Sequence, residues 1–125
     1  MQKYFFIALG GALGSITRYV VSTTVSNRLG VRFPYGTLLI NLSACLIIGL
    51  SLELLNRHTN VNPALRYLIP IGFIGAYSTF STFEWEIFSS LNSGAFWTAL
   101  VYVTTSLVLG LVAVALGAGL GRALS

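Results

Sequence analysis

Apolar residues run along this chain in four long blocks, separated by short polar or turn-rich stretches. A membrane-crossing helix needs about 20 mostly apolar residues. The blocks at 4–22, 36–55, 65–91 and 96–120 meet that requirement, so the pattern predicts an all-α membrane protein with four transmembrane helices in a single domain, 1–125. The connectors over Arg28 to Pro34 and over Asn56 to Pro63 carry basic and turn-forming residues, and Asn92-Ser93-Gly94 predicts a tight hairpin. Lys3 and the apolar run behind it have some look of a secretory leader. With no soluble domain following, the run reads as the first membrane helix.

The third block is too long for one unbroken span, and within it Pro70, Gly72 and Gly75 precede the hydroxyl run Ser78, Thr79, Ser81, Thr82. Glycines and clustered hydroxyls favour a break in the helix. Irregular backbone at membrane depth persists only where protein or water satisfies it, and the freed carbonyls and amides can then bind a cation or an anion. The competing reading is a simple kink whose hydroxyls bond back to their own helix.

Composition supports the membrane class: 55% of residues are hydrophobic, 8% are charged, and the mean hydropathy is +0.83. The net charge is +4, but the basic residues are scattered singly, which argues against a nucleic-acid surface. One side of the predicted bundle holds Lys3, Arg57, Arg66 and Arg122, while the other holds Arg28 and Arg32, with Arg18 near that end of the first helix. Orientation follows the Lys/Arg bias of short loops, and here the bias is nearly absent. The expectation is insertion in both orientations and pairing as an antiparallel, dual-topology homodimer, which supplies the inverted symmetry common in transport proteins. Gly10 with Gly14, and Ala113, Gly117 and Gly121, repeat the small-residue spacing that lets membrane helices approach closely.

Polar and aromatic residues inside apolar spans are the candidates for function. Phe80 and Phe83 are three apart and share a face if helix resumes after the break, with Phe73 and Tyr77 nearby. Such a stripe is ordinarily core or lipid contact; the alternative uses the positive ring edge, which can face a small anion without a full charge. Asn41 and Thr37 lie on one face of the second span, either as interhelical hydrogen-bonding groups or as ligand contacts. Thr98, Tyr102 and Ser106 form a polar stripe along the fourth span, serving either helix contacts or an ion path. Arg18 either snorkels or reaches a vestibule, Glu86 is its partner or sits at a pore mouth, and Glu53 marks the interface. A lone Cys45 and a lone His58 offer no disulfide framework or zinc site within one chain. There is no phosphate-binding loop and no convincing nucleophile–base pair, so no enzymatic activity is expected.

Three blocks in this order, Gly10-Gly11-Ala12-Leu13-Gly14-Ser15-Ile16-Thr17-Arg18-Tyr19, Gly36-Thr37-Leu38-Leu39-Ile40-Asn41 and Gly72 to Glu86, resemble the small bacterial fluoride channels of the Fluc or CrcB type. The resemblance covers nearly the whole chain, and its most specific part is Ser78 to Phe83. It implies a passive fluoride-selective channel that exports fluoride from the cytoplasm and relieves its toxicity. The implied assembly is an antiparallel homodimer with two pores, embedded in lipid in a bacterial inner membrane. By motif, Phe80 and Phe83 correspond to the ring edges lining the fluoride path, Asn41 to the asparagine pointing into it, and Tyr102 and Ser106 to a hydroxyl track. Thr37 and Arg18 resemble the vestibule threonine and the arginine of the family, and Glu86 matches an acidic residue just after the phenylalanine box. The family's structural sodium ion, held by main-chain carbonyls at the dimer centre, would fall to Gly75 and Ser78. Ala76, Ser78, Gly110 and the bulky pair Glu84-Trp85 depart from the usual pattern.

Two other classes compete. A dual-topology, proton-coupled drug exporter needs an early membrane-embedded carboxylate, and the first span carries Arg18 and no acid. A passive assembly subunit would explain the packing glycines but not hydroxyls clustered at a helix break.

Overall fold

The computed structural model describes residues 1–58 and 60–125; Thr59, in the second predicted connector, lies outside them. The described chain is helical throughout apart from short connections. Helix α1 spans Gln2–Leu29, α2 spans Tyr35–Arg57 and α5 spans Phe96–Ala123. At 1.5 Å per residue these are about 42, 35 and 42 Å long, enough to cross a hydrocarbon core of about 30 Å. Among the described residues these three helices are long and apolar enough to cross a membrane. The third block forms two pieces. The first, α3 (64–77), opens with an α turn at Ala64–Arg66, winds as a π-helix over Tyr67–Ile74 and closes with a turn at Gly75–Tyr77. The second, α4, spans Phe80–Asn92.

Local chemistry accounts for these boundaries. Pro70 lies inside the π-helical stretch, where its missing N–H and its ring disfavour regular α winding. The expected break is present and falls at Ser78 and Thr79, within the hydroxyl run, while the backbone of Gly72 and Gly75 remains helical. Gly94, with φ +78°, makes the hairpin between α4 and α5. The first helix continues beyond 22 to Leu29, which puts Arg28 in the helix rather than the connector and leaves Arg18 well inside it. Ser26, Asn27 and Arg28 are too polar for a lipid block, yet water suits a helical end as well as a loop.

Close backbone contact at glycine joins the helices in pairs. α1 packs on α3, where a Cβ at Gly14 would collide with the Phe73 carbonyl and one at Gly10 with the Leu68 carbonyl. α2 packs on α5, where a Cβ at Gly117 would strike the Leu46 carbonyl. Both predicted small-residue motifs therefore lie at helix contacts, where dispersion rather than water exclusion drives association in lipid. Ile40, Ala44, Ile74 and Tyr77 form a buried cluster between α2 and α3.

Charged side chains gather at one end of the bundle. The Glu53 carboxylate accepts from Arg57 at 2.6 Å and lies 3.4 Å from the Arg122 guanidinium. Arg66 donates to Asn56 at 3.2 Å and to the Leu55 carbonyl, tying the start of α3 to the end of α2.

Candidate functional site

Ser78 (φ −71°, ψ 157°) and Thr79 (φ −149°, ψ 114°) are extended, and they separate α3 from α4. In a continuous helix the Thr79 amide would donate to the Gly75 carbonyl. Instead it donates to Asn41 Oδ1 at 2.9 Å, and Asn41 Nδ2 donates back to the Thr79 carbonyl at 3.2 Å. The Gly75 carbonyl is thereby deprived of its helical donor. Thr79 also caps α4, its hydroxyl accepting from the Thr82 amide at 3.3 Å and donating to the Thr82 hydroxyl at 3.0 Å. The Ser78 amide and hydroxyl both donate to the Ile74 carbonyl, at 3.0 and 3.1 Å.

A second tie from α2 reaches the same region. The Ser43 hydroxyl is 2.8 Å from the Tyr77 hydroxyl and has backbone acceptors at Leu39 (2.8 Å) and Ile40 (3.0 Å). Either hydroxyl can be the donor in the Ser43–Tyr77 bond.

About two turns beyond the break, Glu86 joins three elements. Its Oε1 accepts from the Thr37 hydroxyl on α2 at 2.7 Å, and its Oε2 accepts from the Tyr102 hydroxyl on α5 at 2.7 Å. Tyr102 is fully buried and packs in T-shaped contact with two rings, Phe83 (centroids 5.0 Å apart, planes at 64°) and Phe33 (5.6 Å, 76°). Helical spacing makes this possible, since Phe83 and Glu86 are three apart on α4 and Thr37 and Asn41 four apart on α2.

Three cavities surround these residues. One of about 200 Å³ is lined by Ser22, Arg32, Thr37, Trp85, Glu86 and Ser89, among others. A second, of about 260 Å³, brings Arg18 to Ser15, Thr37, Thr79 and Thr82. Thr37 thus borders both. The third, of about 320 Å³, lies at the break between Asn41, Cys45, Ser78, Thr79 and Phe80.

Comparison with known proteins bears on this arrangement. Residues 5–118 match the family described as CrcB-like protein, Camphor Resistance (CrcB). The chain belongs to this family. It is 50% identical over 121 residues to a protein of Acidobacterium capsulatum named fluoride-specific ion channel FluC, with 97% of each chain covered. Proteins of the same name from Solibacter usitatus (45% identical; 97% of this chain and 99% of the other) and Chloroflexus aurantiacus (43%; 98% and 97%) are also similar. With three helices able to cross a membrane, this CrcB-like chain is a membrane protein.

Of the residues singled out in the sequence, the structure joins Thr37, Glu86, Tyr102 and Phe83 in one cluster and places Asn41 at the break. Phe80 lies with its centroid 6.1 Å from that of Phe83, but 73% of it is exposed whereas Phe83 is buried. Ser106 stands apart, its buried hydroxyl without a partner among the described residues. Arg18 lines a cavity and makes no ion pair with Glu86, so of the two roles expected for Glu86 the partnership with Arg18 is not formed. Thr79, Thr82, Tyr77 and Ser43 carried no assigned role in the sequence. A threonine just ahead of the aromatic-rich helix is an N-cap signal that would have found Thr79.

Proposed function

We propose that this chain is a passive, fluoride-selective channel that exports fluoride from the cytoplasm, working as an antiparallel dual-topology homodimer with two pores in a bacterial inner membrane. Its CrcB-like membership and its close relatives named as fluoride-specific channels support that reading. The observation that carries it in this chain is the convergence of the Thr37 and Tyr102 hydroxyls with the buried Phe83 ring in an otherwise apolar bundle. Such a channel moves fluoride without chemical conversion, and the chain is no enzyme.

Fluoride is small and strongly hydrated, so a narrow path must replace its water with donors that bind without trapping. In this reading Asn41, Thr37, Tyr102 and Ser106 supply N–H and O–H donors, while Phe80 and Phe83 offer ring edges that favour an anion and repel a cation. Arg18 and Glu86 border the cavities that lead from water to these groups. The dimer is supported by the nearly even spread of Lys and Arg and by the exposure of Phe80, an apolar ring beside the cavity at the break.

A structural sodium ion at the dimer centre belongs to the same proposal. Its donors would be main-chain carbonyls of Gly75 and Ser78, and oxygen donors of this kind suit a hard cation. The Gly75 carbonyl fits the role because the amide it would otherwise accept from is turned toward Asn41. A bound cation would neutralise the dipole of a carbonyl that has lost its helical donor.

The test is efflux from liposomes carrying the purified chain and loaded with fluoride or chloride. Fast fluoride release with little chloride release is expected. Absence of fluoride flux sinks the proposal.

A further inference from the structure

Thr37 and Tyr102 each have one hydroxyl proton, and both protons are already committed to Glu86. The two bonds, each 2.7 Å, fall in the range of charge-assisted O–H···O contacts to a carboxylate. Both oxygens act as acceptors from neutral hydroxyls, which is the hydrogen-bonding pattern of the ionised side chain. The donors that would ligate a fluoride ion at this level therefore already hold an anion, one that is covalently part of α4.

We infer that the Glu86 carboxylate is a tethered competitor of fluoride: it occupies the anion position between Thr37 and Tyr102 and must swing aside before a fluoride ion can take that position. The inference rests on the fluoride-pathway reading of Thr37 and Tyr102 and adds the role of Glu86 to it. Space for the displaced side chain exists, since Glu86 lines the cavity of about 200 Å³ that also reaches Ser22, Ser26 and Ser89, whose hydroxyls can receive a carboxylate. Arg32 borders the same cavity and offers a cation to the displaced group. Displacement keeps both hydroxyls satisfied, because one fluoride ion placed between them accepts from both in place of the two carboxylate oxygens. An acceptor from the protein also keeps the buried Tyr102 hydroxyl from standing unpaired when no ion is present.

Two experiments test this. Unitary fluoride current is measured against fluoride concentration in planar bilayers for the parent and for Glu86→Gln, whose neutral amide holds the hydroxyls less strongly. The half-saturating fluoride concentration is expected to fall at least threefold in the variant; an unchanged or higher value in an assembled variant overturns the inference. Fluoride-minus-chloride difference infrared spectra then read the carboxylate directly. The chain has three acidic side chains, so a Glu53→Gln, Glu84→Gln variant isolates Glu86. Fluoride is expected to shift a carboxylate stretching band in that variant and in the parent, but not in Glu86→Gln. Absence of the shift in the isolating variant overturns the inference even if Glu86→Gln fails to fold. A parent that shows the shift but conducts no fluoride keeps the competitor and removes the channel.

Discussion

Asn41 and Thr79 exchange two hydrogen bonds across the helix break, so that a side-chain amide on α2 stands in for the helical partners Thr79 has lost. The same contact frees the Gly75 carbonyl. One residue therefore holds the break open, supplies candidate pore chemistry and shapes the proposed cation site.

Removing that amide should be felt as stability as well as conduction. Asn41→Ala leaves the buried Thr79 amide without its acceptor, at a cost of about 1–3 kcal/mol. A lower thermal midpoint for the assembled protein, together with reduced fluoride efflux, is the expected outcome. A normal midpoint would show that the break needs no tie to α2.

Phe80 and Phe83 differ in burial, and that difference separates two effects. Phe80→Ile and Phe83→Ile should both lower fluoride flux while leaving the proposed dimer assembled. Phe83→Ile should also lose the edge contact with Tyr102, worth about 0.5–1.5 kcal/mol, whereas Phe80→Ile should leave the protomer's stability nearly unchanged. Efflux and thermal melting on the same preparations check both; parental conduction in the two variants would end the ring-edge argument.

Two glycines near the end of α5 give a matched pair. A side chain at Gly117 meets the Leu46 backbone, which cannot move aside like a flexible side chain, while the space around Gly119 is open. Gly117→Val should destabilise the fold by about 1–3 kcal/mol or more. Gly119→Ala should be neutral or slightly stabilising through helix propensity. Melting of the two proteins in one detergent decides the matter.

Sodium dependence has its own readout. Exchanging sodium for a large organic cation should lower the thermal midpoint of the proposed dimer if Gly75 and Ser78 carbonyls hold an ion there. Equal midpoints in the two salts would remove the site.

The apolar blocks were legible because lipid demands an unbroken run of apolar residues over a set length. The ends of α1 were not, since a helix leaving lipid can continue through Ser26, Asn27 and Arg28 without any apolar signal. The hydroxyl cluster announced a break, but its exact step is set by Asn41, 38 positions away on another helix. The bridge at Glu86 was beyond local reading for the same reason, with Thr37 and Tyr102 lying 49 and 16 positions away. Spacing along one helix says which residues share a face; it does not say which face another helix will meet.

The π-helical winding of Tyr67–Ile74 makes the length of that stretch a phase setting for everything after it. π-turns hold more residues than α-turns, and in an α-helix each residue turns the chain by about 100°. If the winding were kept, removing a single residue between 67 and 74 would turn the following carbonyls and rings by up to about 100° away from Asn41. Substitutions there can be absorbed side chain by side chain. A change of length cannot.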